Sequence, residues 1–202
     1  TPQKHVIPLI KGCERKGFKT LDRVEDHRFS LCCPAGLQET AETFGGIDIM
    51  CNNAGILNEA AWEKAVSINM MGVIRGTYLA LEHMSKLSGG RGGVIVNMAS
   101  MAGLGPLPSC PVYTATKHGV VGFTRAMAVR ASNSFTTPST NLGRFSHMGD
   151  ATEQLMQHLG VISVSDVAQS VLEMVTDETL SGRACCLSPR GREYVDFPSF
   201  AQ

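Results

Sequence analysis

Two short apolar runs, 47–51 (IDIMC) and 94–98 (VIVNM), bracket a long helix-patterned stretch at 59–87. This alternation limits what the chain can fold into more than any other feature. Runs that are apolar throughout, rather than every second residue, suit strands buried on both faces, which is the setting of a parallel sheet. Parallel neighbours need a crossover, and the stretch at 59–87 is long enough to be one. A second helical pattern follows at 112–130, so the order is strand, helix, strand, helix, the α/β arrangement. Breaks fall where this reading needs them, at Asn52, Asn53, Ala54 and Gly55 and at the glycine-rich 88–93 (SGGRGG).

The flanking regions are less regular. Residues 5–10 (HVIPLI) read as a short strand interrupted by Pro8, and 36–44 as a short helix stopped by Gly45 and Gly46. Residues 132–150 (SNSFTTPSTNLGRFSHMGD) are polar and turn-rich, and read as a loop. Helical signals return at 152–158 and 165–176, with Ser165 as the expected cap of the second and Asp166 in its first turn. Residues 184–187 (ACCL) read as a last strand.

Composition excludes several classes. Lys and Arg together number 18, as do Asp and Glu, so the chain has no net charge with which to attract nucleic acid or an acidic membrane. With 43% hydrophobic and 18% charged residues in 202, it is no disordered segment and has enough material for one cored domain. No apolar run reaches the roughly 18 residues of a membrane span. No basic stretch followed by an apolar one opens the sequence, and the seven cysteines lack a Cys-x-x-Cys pair. Both features fit a reducing, cytoplasmic setting. The six histidines form no His-Glu-x-x-His, and no metal site is expected.

Chemistry concentrates at 113–117 (YTATK). Residues four apart lie on one helix face, so Tyr113 and Lys117 stand one turn apart. A free phenol has a pKa near 10, and a neighbouring ammonium favours its ionised form. The pair can therefore serve as a general base toward an alcohol. Such a pair occurs often by chance, and its weight comes from company. Ser100 lies just beyond the run 94–98, where the carboxyl end of a strand in an open sheet meets ligands. Its hydroxyl can hold a substrate oxygen against the phenol. Asn53, Ala54 and Gly55 follow the preceding strand in the same way, small enough for close approach by a ligand.

With Asn-Asn-Ala-Gly at 52–55, Asn69 in the next helix, Ser100, and Tyr113 with Lys117, the sequence resembles the short-chain dehydrogenase/reductase family. The resemblance implies a Rossmann-like, doubly wound parallel sheet in a single domain over 1–202. Its parts would be a degenerate N-terminal part (1–45), a catalytic block (46–131), a loop (132–150) and a C-terminal part (151–202). It implies that Tyr113 accepts the proton, that Lys117 lowers the phenol's pKa and holds the cofactor ribose, and that Ser100 orients the substrate hydroxyl. Asn69 would hold a water linking Lys117 to solvent, and Asn53, Ala54 and Gly55 would line the cofactor. The implied reaction is hydride transfer from a secondary alcohol to NAD. Stretches 58–67, 76–86 and 111–125 point within the family to dehydrogenases of hydroxylated lipids such as prostaglandins. There the residue three before the tyrosine helps hold the substrate as Gln; here it is Cys110, a poor hydrogen-bonding partner. The helices at 59–87 and 112–130 would form a homodimer interface. The alternative is an inactive chain that acts only as a dimerisation partner.

Two expected pieces are missing from the sequence, so the sheet is expected to be incomplete. The only candidate for the glycine-rich phosphate turn is 12–17 (GCERKG), with the wrong spacing and no apolar strand leading into it. After Arg130 neither a buried strand nor a Pro-Gly turn is recognisable, since Pro138 has no following Gly.

Overall fold

The computed structural model describes residues 29–130, 134–140, 162–177, 180 and 183–197. The expectations for 5–10, 12–17 and 152–158 lie outside these residues. Helix α1 (Phe29–Phe44) is longer than the stretch expected from the sequence, and it ends where Gly45 takes φ +76°. An α-carbon with no side chain reaches that left-handed conformation without strain.

Strand β1 (Ile49–Asn52) leads into a long helical rod made of α2 (Trp62–Val66), a wide turn (Ser67–Met71) and α3 (Gly72–Met84). In the wide turn the Gly72 N–H donates to the Ser67 carbonyl, five residues back. Such single expanded turns insert one residue into a helix and often mark functional positions. Strand β2 (Val94–Asn97) and helix α4 (Pro111–Arg130) follow. Then come β3 (Ser134–Thr140), α5 (Val164–Thr176), β4 (Arg183–Ser188) and β5 (Gly191–Val195).

The five strands form one sheet in the order β1-β2-β3-β4-β5, parallel except for the antiparallel β4–β5 pair. Adjacent residues of β2 show why its sequence is apolar throughout. Ile95 packs with Leu37, Ala80, Met84 and Met127 from α1, α3 and α4, whereas Val96 packs with Val167, Val171 and Met174 of α5. Helices therefore cover both faces, as the doubly wound α/β reading requires.

Three expectations need correction. Residues 132–150 are not loop throughout, because Ser134–Thr140 is a strand in the middle of the sheet. Its ladder comes from both neighbours rather than from an apolar pattern of its own. Phe135 and the three threonines in the segment are residue types that suit a pleated backbone. Pro138 lies past Thr136, the last residue paired with β2, so its missing N–H removes no bond on that side. The cap of α5 is Ser163 rather than Ser165: the Ser163 hydroxyl accepts from Asp166 N at 3.1 Å, and Asp166 does sit in the first turn. Finally, β4 does not end the sheet, for Gly191 at φ +125° turns the chain back into β5.

Candidate active site

Asn52 and Asn97 are register partners at the carboxyl ends of β1 and β2, so the loops leaving both strands emerge side by side. Ser100 is buried at the exit of β2, where its Oγ accepts from Ala102 N at 3.2 Å and caps the single turn Met101–Gly103. That turn lies directly on α4, and a Cβ at Gly103 would stand 2.8 Å from the Lys117 carbonyl. Helix α4 then presents Tyr113 and Lys117, both buried, toward the same strand ends. The Tyr113 hydroxyl hydrogen-bonds Ser100, and Lys117 Nζ donates to the Met98 carbonyl at 3.0 Å. Nζ stands 5.6 Å from the centre of the Tyr113 ring. The three residues that the sequence singles out around one alcohol oxygen do converge.

Asn69 sits in the wide turn, fully buried. Its Oδ1 accepts from Ile56 N at 2.8 Å and its Nδ2 donates to Ile56 O at 2.8 Å, so one side chain grips both sides of a backbone residue. Nδ2 also donates to Thr116 Oγ1 at 3.3 Å. The loop leaving β1 thereby comes against α4. A Cβ at Gly55 would lie 3.4 Å from both Asn69 Oδ1 and Lys117 Nζ. Asn53 is half-buried with its N–H on the Cys51 carbonyl, and Ala54 and Gly55 are exposed beside the lysine. Cys110 is buried with Ala102, Leu107 and Tyr113, and Leu57 packs on the same cluster. This cluster forms an apolar wall beside the phenol.

Burial pushes the Tyr113 phenol above its ordinary value, opposed by the hydrogen bond from Ser100, with Cys110 adding a smaller upward push. Burial also pushes Lys117 down, to about 8. Both shifts penalise charge in a dry site. The Lys117 ammonium carries three donors and, among the described residues, one acceptor, the Met98 carbonyl. A buried donor without a partner is costly, so the site has unused binding capacity directed at whatever enters it.

Residues 10–136 match the sequence model of the short chain dehydrogenase family. The chain belongs to that family. It is 35% identical over 189 residues to the 15-hydroxyprostaglandin dehydrogenase [NAD(+)] of Rattus norvegicus, covering 82% of this chain and 71% of the relative. The mouse protein of the same name is 38% identical over 202 residues, covering 90% and 69%. Alcohol dehydrogenase 1 of Ceratitis capitata is 51% identical over a shorter 81 residues, covering 40% and 32%. The family match begins at residue 10 and ends at 136, inside β3. It therefore reaches into both regions whose sequence lacks the family's usual marks.

Sequence reasoning missed two features of this family site. Thr116 is buried, donates to the Tyr113 carbonyl at 2.7 Å and accepts from Asn69, which joins the two helices beneath the phenol. Glu59 accepts from Val112 N at 3.1 Å through Oε2 and from Tyr113 N at 2.8 Å through Oε1. A signal for it does exist. Helix α4 opens on Cys110-Pro111, with no Ser, Thr, Asp or Asn in the cap position, so its first amides need an acceptor from elsewhere.

Proposed function

We propose that this chain is an NAD-dependent dehydrogenase that oxidises a secondary alcohol on a hydroxylated lipid, such as a 15-hydroxyprostaglandin, to the ketone. The observation that carries this reading is the convergence of Ser100, Tyr113 and Lys117 at the carboxyl ends of β1 and β2, beside an apolar wall. The Lys117 donors left without an acceptor among the described residues suit the ribose hydroxyls of a dinucleotide, and Asn53, Ala54 and Gly55 offer an open backbone surface next to them. The name of the rodent relatives supports both the cofactor and the lipid. When bound, NAD supplies the acceptor for the hydride leaving the carbinol carbon.

The protein's share of the chemistry is binding and proton transfer. Ser100 and Tyr113 hold the substrate hydroxyl, and Tyr113 takes its proton as the carbonyl forms. Burial makes Lys117 give up its proton as pH rises through about 8, and the neutral amine can then take the proton of the nearby phenol. The tautomer of that singly deprotonated pair with a phenolate and an ammonium is the base. Turnover therefore rises with pH and levels off above about 8. Asn69, through the remaining lone pair of Oδ1, holds the water that passes the proton toward solvent. Leu57, Ala102, Leu107 and Cys110 contact the lipid chain, and Cys110 gives it no strong hydrogen bond. Two copies pair through the helices that leave Trp62, Met71 and Tyr78 exposed, in a cytoplasmic enzyme. No helix among the described residues is long and apolar enough to cross a membrane.

Thermal unfolding with and without NAD tests the cofactor. At a hundred times its dissociation constant NAD stabilises the native state by about 2.7 kcal/mol, a visible rise in Tm. Absorbance at the reduced nicotinamide band, with a 15-hydroxyprostaglandin and then a simple secondary alcohol, tests the reaction. A flat Tm response and no reduced cofactor would instead indicate an inactive partner chain.

A further inference from the structure

We propose that Glu59 is a positioning residue for Tyr113, a carboxylate delivered from the loop after β1 that sets where α4 begins and hence where the phenol stands. The inference rests on the reading of Tyr113 as the base. It starts from a complete accounting of the first amides of α4. Pro111 has no N–H. Thr114 N donates to the Cys110 carbonyl at 2.9 Å, as a helical first turn should. Val112 and Tyr113 are the two amides left without a helical acceptor, and the two oxygens of Glu59 take one each, at 3.1 and 2.8 Å. A carboxylate is the favoured group at this positive end of a helix.

An ordinary cap comes from the residue just before the helix. This one comes from 54 residues upstream of Tyr113, so it ties two parts of the site together. The Tyr113 peptide is held on both sides: its N–H by Glu59, and its carbonyl by Thr116, which accepts in turn from Asn69. Asn69 also grips Ile56, three residues before Glu59. The loop is thus tied to α4 at two points, and Leu57 between them packs on the Tyr113 cluster. Sliding or unwinding the first turn of α4 would break the Glu59 bonds and carry the phenol away from Ser100.

Three variants separate this role from a general loss of fold. Glu59→Ala removes both acceptors. Glu59→Gln removes the charge but keeps one acceptor oxygen, so it folds where the alanine variant fails. Glu63→Ala removes an exposed carboxylate on the neighbouring helix and controls for charge alone. Amide exchange at Val112 and Tyr113 should quicken by roughly tenfold in Glu59→Ala, less in Glu59→Gln and not at all in Glu63→Ala. The chain has three tyrosines, so a protein labelled at the tyrosine ζ-carbon gives three signals, with Tyr113 assigned by Tyr113→Phe. In the Glu59 variants the Tyr113 signal should titrate closer to the ordinary phenol value, because the ring leaves its buried seat. kcat should fall by about tenfold or more with KM for NAD unchanged. Unchanged exchange and an unchanged Tyr113 titration in both Glu59 variants would overturn the proposal. If the unaltered chain turns over no alcohol, the proposed function fails, and exchange and titration still decide the role of Glu59.

Discussion

Around β1, β2 and α4 the interior is threaded with hydrogen-bonded side chains, whereas around α5, β4 and β5 it is almost wholly apolar. Among the described residues every buried polar side chain except Ser170 belongs to the first region. Asn52 Nδ2 donates to Thr77 Oγ1 at 3.2 Å and to Asn97 Oδ1 at 2.8 Å. Asn97 Nδ2 donates to Thr124 Oγ1 at 2.9 Å, and Thr124 donates to the Val120 carbonyl. These bonds stitch α3, β1, β2 and α4 in sequence, just below the strand ends that carry the candidate site. The other region packs Val167, Val171, Met174, Cys185 and Leu187 against Val96 and Met98. Apolar contacts tolerate small shifts and exchanges of similar volume. Buried hydrogen bonds hold one arrangement, because any other leaves a group unpaired. The region that needs sub-ångström placement is the one built with directional groups.

Breaking this contrast at its chemical end gives the largest effect. Tyr113→Phe should lower turnover by about a thousandfold, close to 4 kcal/mol in the barrier, and change stability by no more than about 1 kcal/mol. Initial rates of NAD reduction and a urea titration check the two halves of that statement. Asn97→Ala should do the reverse in kind. It leaves the Asn52 amide and the Thr124 hydroxyl short of partners in a closed interior, at a cost of about 3–4 kcal/mol by urea unfolding. Its turnover should fall as well, since α4 loses its tie to β2.

Lys117 lets the contrast be read through pH. Its folded value is down to about 8 from an ordinary 10.5, so the unfolded chain binds more protons between those values. Stability therefore rises as pH goes from 8 toward 10.5, and the full penalty of burying the charge is present below 8. Lys117→Met should abolish turnover, raise stability at pH 7 by up to about 3 kcal/mol, and remove that slope. Tyr113 acts in the opposite sense: its raised value keeps a proton that the unfolded chain releases, so its contribution is lost above pH 10. Urea midpoints at pH 7, 9 and 11 for the two chains check both signs. An unaltered chain with the same slope as Lys117→Met would mean that the ammonium is solvated.

How much of this was legible in the sequence followed the same division. The crossover pattern, the Tyr113–Lys117 spacing and the strand-end position of Ser100 are local, and each survives in the structure. Strand β3 was not legible, because its partners are 40 residues upstream and 47 downstream, at Val94–Ser134 and Thr136–Arg183, and a strand paired on both sides needs no apolar pattern to form. Thr116 and Glu59 were missed for a related reason: their value lies in groups that only the fold brings near. Asn52 reads in sequence as part of a turn and is instead a buried tie between strand and helix. The Ser163 cap was missed by two residues, since Ser163 and Ser165 both precede the same helical pattern and only the hydrogen bond to Asp166 N separates them.

The apolar region should respond by volume alone. Leu187→Ala opens a cavity in its cluster and should cost roughly 2–3 kcal/mol, with kcat unchanged once the folded fraction is allowed for. The smallest effect belongs to its outer surface. Arg192 pairs with Glu173 across β5 and α5, and lies over the Tyr194 ring at 5.9 Å. Both partners of the ion pair are part-exposed, so water and salt already screen the attraction, and holding two long side chains in one geometry costs entropy. Arg192→Ala should therefore change stability by about 0.5 kcal/mol, and the difference should vanish in 1 M salt. A loss as large as that of Leu187→Ala would mean that Arg192 acts through its stem on Tyr194, as packing rather than as charge. The salt series separates the two, because packing on an aromatic ring does not weaken as the Debye length falls.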